Sequence, residues 1–353
     1  MTLRNELTKR ILILDGAMGT MIQKNKLSEN DYRGERFAHW KTELKGNNDL
    51  LVLTQPEIIY NIHSQYLMAG ADIIETNTFN SQRISMADYQ MSDMVGKINI
   101  TAARLARNAA DKFTAQNPEK PRFVVGSMGP TNKSLSLSPD VSNPAMRAIT
   151  FDQLVEAYQE QAAALIDGGV DALLIETIFD TLNAKAAIIA AQNAMVQANK
   201  KVELMFSATV ADSSGRLLAG QTIEAFLTSV SHAEPLSVGL NCSFGAKEML
   251  PFLKELSEKS PFFVSAYPNA GLPNQLGEYE QTPEIMAEEI KTYIDEQLVN
   301  IIGGCCGTTP EHIAQYKNLL EQKTSENKQF AIRMPKSQGN DLILSGLEIL
   351  KIN

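Results

Sequence analysis

Short apolar runs alternate with longer segments of helical periodicity along most of the chain. Eight runs end in small or polar residues, as buried parallel strands do, at 11–15, 71–76, 122–127, 172–177, 203–207, 236–241, 262–267 and 300–304. The segments between them place apolar residues at helical spacing, most clearly at 56–68, 151–166, 182–199 and 283–298. Eight such units in about 310 residues favour an α/β fold of the (β/α)8 TIM barrel type over an open doubly wound sheet.

The composition is compatible with one large domain. Of the 353 residues, 44% are hydrophobic and 21% are charged, which is enough to bury a barrel-sized core. The formal net charge of −9, without clustered lysines and arginines, argues against nucleic acid as a partner. There is no run of about eighteen apolar residues that would predict a membrane span, and no secretory signal is recognisable, so we expect a cytoplasmic protein.

The only three cysteines of the chain follow predicted strands. Cys242 comes directly after the sixth run, and Cys305 and Cys306 are adjacent in a glycine-rich turn after the eighth. In a TIM barrel the carboxyl ends of the strands form the active-site face, so the three thiols would meet there. Thiolates are preferred zinc ligands, and three of them leave the fourth tetrahedral position for a substrate. A zinc site at the barrel mouth is therefore the leading prediction.

Other interpretations of the cysteines stay open at this point. Adjacent cysteines, an odd count and a reducing compartment disfavour a structural disulfide. Inert buried thiols are an alternative, although the neighbouring glycines Gly303, Gly304 and Gly307 make a poor core environment. A closed structural zinc site would need a fourth strong ligand, and the chain has no CxxC pair to supply it.

Acidic residues follow three of the same strands. Asp15 ends the first run, and Glu75 and Glu176 take matching places in the second and the fourth. The glycines after Asp15 can let backbone N–H groups approach a small anion while Asp15 accepts from an ammonium, but they lack the spacing of a dinucleotide fingerprint. Such acids can also cap loops by accepting backbone hydrogen bonds. Three of them on the face that holds the thiols favour a binding site.

Several longer motifs together carry a family resemblance that covers essentially the whole chain. They lie at 15–20, 33–37, 45–51, 74–79, 129–132, 267–273 and 303–310. They resemble the homocysteine S-methyltransferase family, and within it the N-terminal homocysteine-binding domain of cobalamin-dependent methionine synthase. The hallmarks of the family are an Asn-Cys after one strand, here Asn241 and Cys242, and a Gly-Gly-Cys-Cys-Gly after another, here 303–307.

The resemblance implies a ligand set for the metal. Zinc would be held by Cys242, Cys305 and Cys306, with the homocysteine sulfur as the fourth ligand. In the substrate-free state a weak oxygen ligand can close the site, and Asn269 is the candidate. A thiol bound to zinc is deprotonated outright, so coordination would turn homocysteine into a nucleophile at neutral pH.

The resemblance also implies how the amino-acid part of homocysteine is bound. Asp15 and Glu176 would receive the ammonium group, and the backbone near Gly16 and Ala17 would receive the carboxylate. Thr76 would assist. These contacts would fix the sulfur in place for the reaction, which is a positioning role.

The methyl donor implied by the resemblance is methylcobalamin, recharged by methyltetrahydrofolate on other domains or proteins. The chain has no Asp-x-His-x-x-Gly cobalamin motif, so cobalamin-binding and folate-binding partners are expected outside it. We expect a homocysteine-binding barrel at 1–322, followed at 323–353 by a C-terminal extension or linker towards a folate domain. The alternative is a stand-alone homocysteine or thiol S-methyltransferase that uses another methyl donor.

Two further classes compete with a methyltransferase. A glycoside hydrolase would also be a barrel with paired carboxylates, here Glu75 and Glu176, but sugar sites usually need stacking aromatics. One Trp and an aromatic content of 7% do not favour it, and it leaves the cysteines unexplained. The second competitor is a non-catalytic zinc or thiol-binding module with a structural or regulatory role.

Overall fold

A computed structural model of the chain describes residues 2–325, 332–337 and 342–352. It contains a sheet of eight parallel strands, β1 (Leu12–Ile13), β2 (Ile73–Glu75), β3 (Phe123–Met128), β4 (Ala172–Ile178), β5 (Glu203–Ala208), β6 (Ser237–Asn241), β7 (Phe263–Tyr267) and β8 (Ile301–Ile302). Each strand pairs with its successor from β2 to β8, and β8 pairs with β1. A parallel bridge between Leu14 and Ile73 closes the remaining gap. The predicted (β/α)8 TIM barrel is confirmed.

Helices precede, connect and follow the strands, and those between strands lie on the outside of the barrel. They are α1 (Leu3–Leu7), α2 (Met18–Lys24), α3 (Glu29–Arg33), α4 (Leu51–Thr54), α5 (Pro56–Ala69), α6 (Arg83–Met86), α7 (Val95–Gln116), α8 (Phe151–Gly168), α9 (Thr181–Ala198), α10 (Ile223–Ser231), α11 (Ala246–Lys259), α12 (Pro283–Asp295) and α13 (Pro310–Ser325). The four segments predicted from periodicity correspond to α5, α8, α9 and α12. None of the helices within the described residues has both the length and the apolar character needed to cross a bilayer.

Two of these helices end earlier than the apolar pattern predicts, and the backbone explains why. Asn199 adopts a left-handed conformation with φ of 47° and so ends α9. Gln297 does the same after α12, with φ of 55°, and the N–H of Leu298 donates back to the carbonyl of Tyr293 at 2.8 Å. Leu298 is buried because the chain turns back under the helix, which is a common way to end a helix.

The amino end of the barrel is filled by side chains. Leu3 and Leu7 of α1 join an apolar cluster inside the barrel, together with strand residues such as Leu12, Ile73 and Phe123. All five are at most 4% exposed. Because packed apolar side chains occupy this end, the space for a ligand lies at the opposite, carboxyl end of the strands.

The part of the C-terminal segment around Arg333 packs against the amino end of the barrel. The Arg333 side chain is only 4% exposed and donates to the carbonyls of Ser257, Ser260 and Phe262 at 2.7 Å. The amide of Asn300, just before β8, donates to the Arg333 carbonyl at 2.8 Å. A guanidinium with several carbonyl acceptors can be buried, so this residue fastens the segment to the barrel.

Two further strands, β9 (Leu342–Ser345) and β10 (Ile349–Ile352), form an antiparallel hairpin against α10. The hydroxyl groups of Ser345 and Ser229 lie 2.9 Å apart, and the Thr222 N–H donates to the Leu347 carbonyl at 2.9 Å. The division into a barrel at 1–322 and an extension at 323–353 stays a prediction. Within that extension, 326–331, 338–341 and 353 lie outside the described residues.

Candidate metal centre and amino-acid site

A cavity of about 1070 Å³ opens at the carboxyl ends of the strands. Every residue that the sequence proposed for the site, except Asn269, lies on its wall: Asp15, Gly16, Ala17, Thr76, Glu176, Cys242, Cys305 and Cys306. Asn269 is buried just behind the cysteines. The structure thus brings residues from both ends of the sequence to one surface.

The three thiols converge on one side of this cavity. Their sulfur atoms all lie within 4.8 Å of one another, and those of Cys242 and Cys306 are 3.9 Å apart. Cys242 and Ser243 are both left-handed, with φ of 60° and 59°, a conformation that non-glycine residues rarely adopt. Two such residues turn the chain abruptly at the end of β6. Backbone strain of this kind concentrates at functional sites.

The turn after β8 is held from both sides. The N–H of Cys305 donates to the carbonyl of Pro268 at 2.8 Å, and the N–H of Cys306 donates to Oδ1 of Asn269 at 3.1 Å. The Thr308 hydroxyl donates to the Cys305 carbonyl at 2.7 Å. Asn269 therefore supports the cysteine turn, and its suggested role as a weak zinc ligand stays a prediction.

The chemistry of the thiol cluster fits a bound cation. Hydrogen bonds from Cys242 and Cys305 lower the pKa of Cys306 to about 3. Hydrogen bonds with Cys242, which has the larger effect, and with Cys306 raise the pKa of Cys305 well above its usual range. The chain's own groups therefore stabilise one thiolate and disfavour another beside it. A divalent cation removes this repulsion, and three sulfur donors suit zinc.

Three carboxyl groups lie on the same cavity wall. Removal from bulk water raises the pKa of Glu176 to about 7 and that of Asp15 well above its usual range. The same cause raises the pKa of Glu75, and the charges of Glu176 and Asp15 raise it further. Like charges held close together disfavour ionisation, and a cationic group among them would reverse the effect. This part of the wall is therefore suited to an ammonium ion.

The three carboxylates differ in the number of hydrogen bonds that they accept from the protein. Glu176 accepts from the hydroxyl groups of Ser127 and Tyr267, and Asp15 accepts from the N–H of Glu75 at 3.1 Å. No group in the described part of the chain donates a hydrogen bond to the Glu75 carboxylate. Glu75 is thus the most available acceptor for a ligand. The sequence signal for Glu75 was its position in β2, which matches that of Glu176 in β4. The sequence prediction nevertheless did not include Glu75 among the substrate contacts.

A second residue whose role the sequence did not reveal is Asn241, the last residue of β6. Its Oδ1 accepts from the Thr177 N–H at 3.1 Å and from the Ser207 hydroxyl at 2.7 Å. Its Nδ2 donates to the Thr177 hydroxyl at 2.9 Å. One amide therefore ties the strand end beside Glu176 to the strand end beside Cys242. The family motif marked this asparagine, but only the structure gives its contacts.

The residues suggested for the substrate carboxylate are partly engaged within the protein. The Ala17 N–H donates to the Thr308 hydroxyl at 3.1 Å. A Cβ on Gly16 would lie 2.7 Å from the Thr308 Oγ1 and 2.9 Å from a ring carbon of Tyr66, so only glycine fits there. The Thr76 hydroxyl accepts from the Ser127 N–H at 3.0 Å. Their roles towards a substrate stay predictions.

Comparisons with known proteins place this site in a family. The sequence model of the homocysteine S-methyltransferase family matches residues 12–320. The metallated form of the homocysteine methyltransferase MmuM from Escherichia coli is similar to this structure, with a TM-score of 0.70 and 23% identity over 90% of this chain and 99% of that chain. Its oxidized form gives a TM-score of 0.70 and 22% identity over 90% and 98%.

At these identities, the likeness to the two solved structures shows a shared fold alone. The family match carries the assignment, because it extends from β1 into α13 and so includes all eight strands and the three cysteines. A glycoside hydrolase is thereby excluded as the class of this protein. The chain belongs to the homocysteine S-methyltransferase family and is a methyltransferase.

Proposed function

We propose that the protein binds zinc through Cys242, Cys305 and Cys306 and activates homocysteine as a thiolate for methylation to methionine. The observation that carries this proposal is the pairing of two half-sites in one cavity. Three sulfur atoms within 4.8 Å of one another lie on one part of the wall, and a cluster of carboxyl groups lies on another. Homocysteine has the complementary groups, a thiol at one end and an ammonium at the other.

Each part of the site has a separate task. When bound, zinc supplies the positive charge that keeps the substrate sulfur deprotonated at neutral pH. Because three cysteinates leave the centre with a net charge of about −1, the sulfur keeps its electron density and its nucleophilicity. The turn after β8 and the left-handed residues after β6 hold the cysteine sulfurs in place before substrate arrives.

The carboxyl cluster binds and orients the amino-acid end. Asp15 and Glu176 accept from the ammonium group, and Glu75 joins them because no group in the described residues donates to its carboxylate. The backbone near Gly16 and Ala17 receives the substrate carboxylate, with Thr76 beside it. Fixing both ends of the substrate restricts its sulfur to one position, which raises its effective concentration at the methyl donor.

Methylcobalamin is the proposed donor, carried by a cobalamin-binding domain or protein and recharged with methyltetrahydrofolate on a folate-binding one. The support is the resemblance of the motifs at 15–20, 267–273 and 303–310 to methionine synthase. The cavity of about 1070 Å³ is also larger than most small-molecule sites, so it leaves room for a second reactant beside homocysteine.

A metal assay combined with methyl transfer from free methylcobalamin to homocysteine tests the proposal. We expect one zinc per chain and methionine formation that stops when a chelator removes the metal. Zinc that stays bound but reacts with no thiol would identify a closed, non-catalytic module. Reactive zinc without transfer from methylcobalamin would indicate another methyl donor.

A further inference from the structure

A ring of hydrogen bonds closes on the peptide of Ser127, beside the carboxyl cluster. The Ser127 N–H donates to the Thr76 hydroxyl at 3.0 Å, and the Thr78 hydroxyl donates to the Ser127 carbonyl at 2.7 Å. The two threonine hydroxyl groups lie 2.6 Å apart. Both threonines are at most 3% exposed, and all three residues line the cavity. Two residues that follow β2 are thus joined to one residue of β3.

The direction of each bond in the ring follows from the number of hydrogens. A threonine hydroxyl has one hydrogen, and two oxygens at hydrogen-bond distance need a hydrogen between them. The Ser127 carbonyl has none, so the hydrogen of the Thr78 hydroxyl lies between these two oxygens. The contact between the two hydroxyl groups then takes its hydrogen from Thr76. Thr76 is therefore the donor to Thr78.

Thr76 can consequently only accept hydrogen bonds from a ligand. Its one hydrogen is directed to Thr78, and one of its two lone pairs receives the Ser127 N–H. The acceptor capacity that remains is all that this hydroxyl can offer to the cavity. A carboxylate has no hydrogen to donate, whereas a primary ammonium group has three. The ring therefore suits Thr76 to the ammonium group of a substrate and not to its carboxylate.

The hydroxyl groups next to the ring are committed in the same sense. Ser127 donates its hydroxyl hydrogen to Oε1 of Glu176, and Tyr267 donates to Oε2 of the same carboxylate at 3.4 Å. Both hydrogens are thus directed at an acid of the protein. Ser127 takes part in both arrangements, through its peptide in the ring and through its side chain at Glu176. The ring therefore also fixes a residue that orients this carboxylate.

The ring is held by buried amides from two helices outside the barrel. Gln161 of α8 is fully buried, and its Nε2 donates to the Thr78 carbonyl at 2.8 Å and lies 3.5 Å from the Ser127 carbonyl oxygen. Asn99 of α7 donates to the Ser81 carbonyl at 2.7 Å, further along the same loop. The threonine hydroxyl groups are therefore held in place before any ligand arrives.

We propose that Thr78 is a positioning residue for the amino group of the substrate, because its hydroxyl makes Thr76 an acceptor towards the cavity. Thr76 then joins the carboxyl cluster in binding the three hydrogens of a primary ammonium group. The ammonium and the carboxylate of homocysteine sit on one carbon atom, so a residue beside one of them also lies beside the other. This inference rests on the proposed homocysteine site and names the end of the substrate that the ring recognises.

Two analogues of homocysteine separate the two ends. The decarboxylated analogue, homocysteamine, keeps the thiol and the ammonium, and the deaminated analogue, mercaptobutanoate, keeps the thiol and the carboxylate. Each is titrated into the zinc-loaded protein in a calorimeter. In Thr78→Val the side-chain shape stays and the hydroxyl is lost, which frees the Thr76 hydrogen to point at the ammonium. We expect the Kd for homocysteine and homocysteamine to rise about tenfold, the size of one lost hydrogen bond to a charged group. The Kd for mercaptobutanoate should stay unchanged.

Two variants control for the fold and for the substitution itself. Thr78→Ser keeps the hydroxyl and should bind all three thiols as wild type does. Thr54→Val is the matched control, because Thr54 lies on α4, away from the cavity wall, and its hydroxyl has no hydrogen-bond partner within the described residues. Zinc content and circular dichroism, measured before each titration, should match wild type in every variant.

Three results would overturn the inference. The first is an unchanged Kd for homocysteamine in folded, zinc-loaded Thr78→Val. The second is an equal rise for both analogues, which would mean that the loop moves as a whole. The third is a Thr78→Ser variant that binds as weakly as Thr78→Val, which would assign the effect to packing. A wild-type protein that binds no zinc, or binds homocysteine no more tightly than mercaptobutanoate, would instead contradict the proposed function, so the two failures are distinguishable.

Discussion

The two ends of the barrel differ in whether their buried acids have cationic partners. At the amino end, Asp72 is fully buried, but Arg10 lies 2.8 Å and Lys120 lies 3.5 Å from its carboxylate. Glu6 is also buried there. Although burial raises its pKa, the hydrogen bond and charge of Lys9 and the charge of Arg10 outweigh burial, and the pKa is lowered. Both of these acids therefore have a cation that the chain itself provides.

Within the described residues, the three acids on the cavity wall at the carboxyl end have no such ion pair. Asp15, Glu75 and Glu176 face one cavity, and their pKa values are raised by removal from water. The only lysine or arginine on the cavity wall, within the described residues, is Lys24. Similar side chains in the same barrel thus serve two purposes. Acids neutralised by the chain stabilise the fold, and acids left without a cation mark the place where a ligand supplies one.

The largest expected effect is loss of zinc at the carboxyl end without loss of the fold. Cys242→Ala should reduce bound zinc from one per chain to a small residue, because two protein thiolates form a much weaker site. The barrel should stay folded, since Cys242 lies at the cavity and not in the core. Metal analysis and circular dichroism measure the two results. Full zinc occupancy in this variant would show that Cys242 is not a ligand.

The next effect belongs to the amino end. Asp72→Ala should lower the free energy of unfolding by about 3–5 kcal/mol, because it removes a buried carboxylate and leaves two partly buried cations and the buried N–H of Ile13 without their acceptor. Urea unfolding measures this loss. The control is Asp167→Ala, whose ion pair with Arg104 is exposed on both sides and should contribute under about 1 kcal/mol. Equal losses would contradict the contrast between the two ends.

The pH dependence of stability offers a third test, at Asp49 on the cavity wall. Burial raises the pKa of Asp49 to about 7. Since the folded state then holds the proton more tightly than the unfolded chain, Asp49 contributes stability at pH below about 4 that is lost as the pH rises to about 7. Asp49→Asn should abolish this loss, which is on the order of 2–4 kcal/mol. The free energy of unfolding of wild type and of Asp49→Asn is measured from about pH 4 to about pH 7.5. The same pH dependence in both proteins would refute the prediction.

The smallest expected effect concerns substrate binding. Glu176→Gln should weaken homocysteine binding by roughly 1.5–3 kcal/mol without loss of zinc, since it removes one charged acceptor for the ammonium group. Mercaptoethanol has no ammonium group and serves as the control thiol in the same titration. Equal weakening for both thiols would mean that Glu176 acts on the metal or on the fold.

The sequence predicted those parts of the molecule that follow from periodicity. All eight strands were predicted, and the three thiols were expected to meet because the ends of neighbouring strands in a barrel lie on one face. The ends of α9 and α12 could not be foreseen, because they depend on single left-handed residues, Asn199 and Gln297, in otherwise helical patterns.

Contacts between distant segments were also beyond the sequence. The polar stretch that contains Arg333 gave no sign that this residue is buried, because its acceptors are backbone carbonyls from another part of the chain. Tyr279 lies in a loop without periodicity, and its approach to the cysteine turn depends on Gly307, where a Cβ would lie 2.2 Å from the Tyr279 Cβ. In both cases the partners are set by tertiary structure, which a local pattern does not contain.

The bridge made by Asn241 has a thermodynamic consequence. Because this one amide joins the strand end beside Glu176 to the strand end beside Cys242, we expect that a ligand bound in either proposed half-site would stiffen the other. Any such coupling is reciprocal: if metal tightens the hold on the amino acid, the amino acid must tighten the hold on metal by the same factor. A cell short of zinc would then lose retention of the amino acid together with the metal, and abundant amino acid would help the protein compete for scarce zinc.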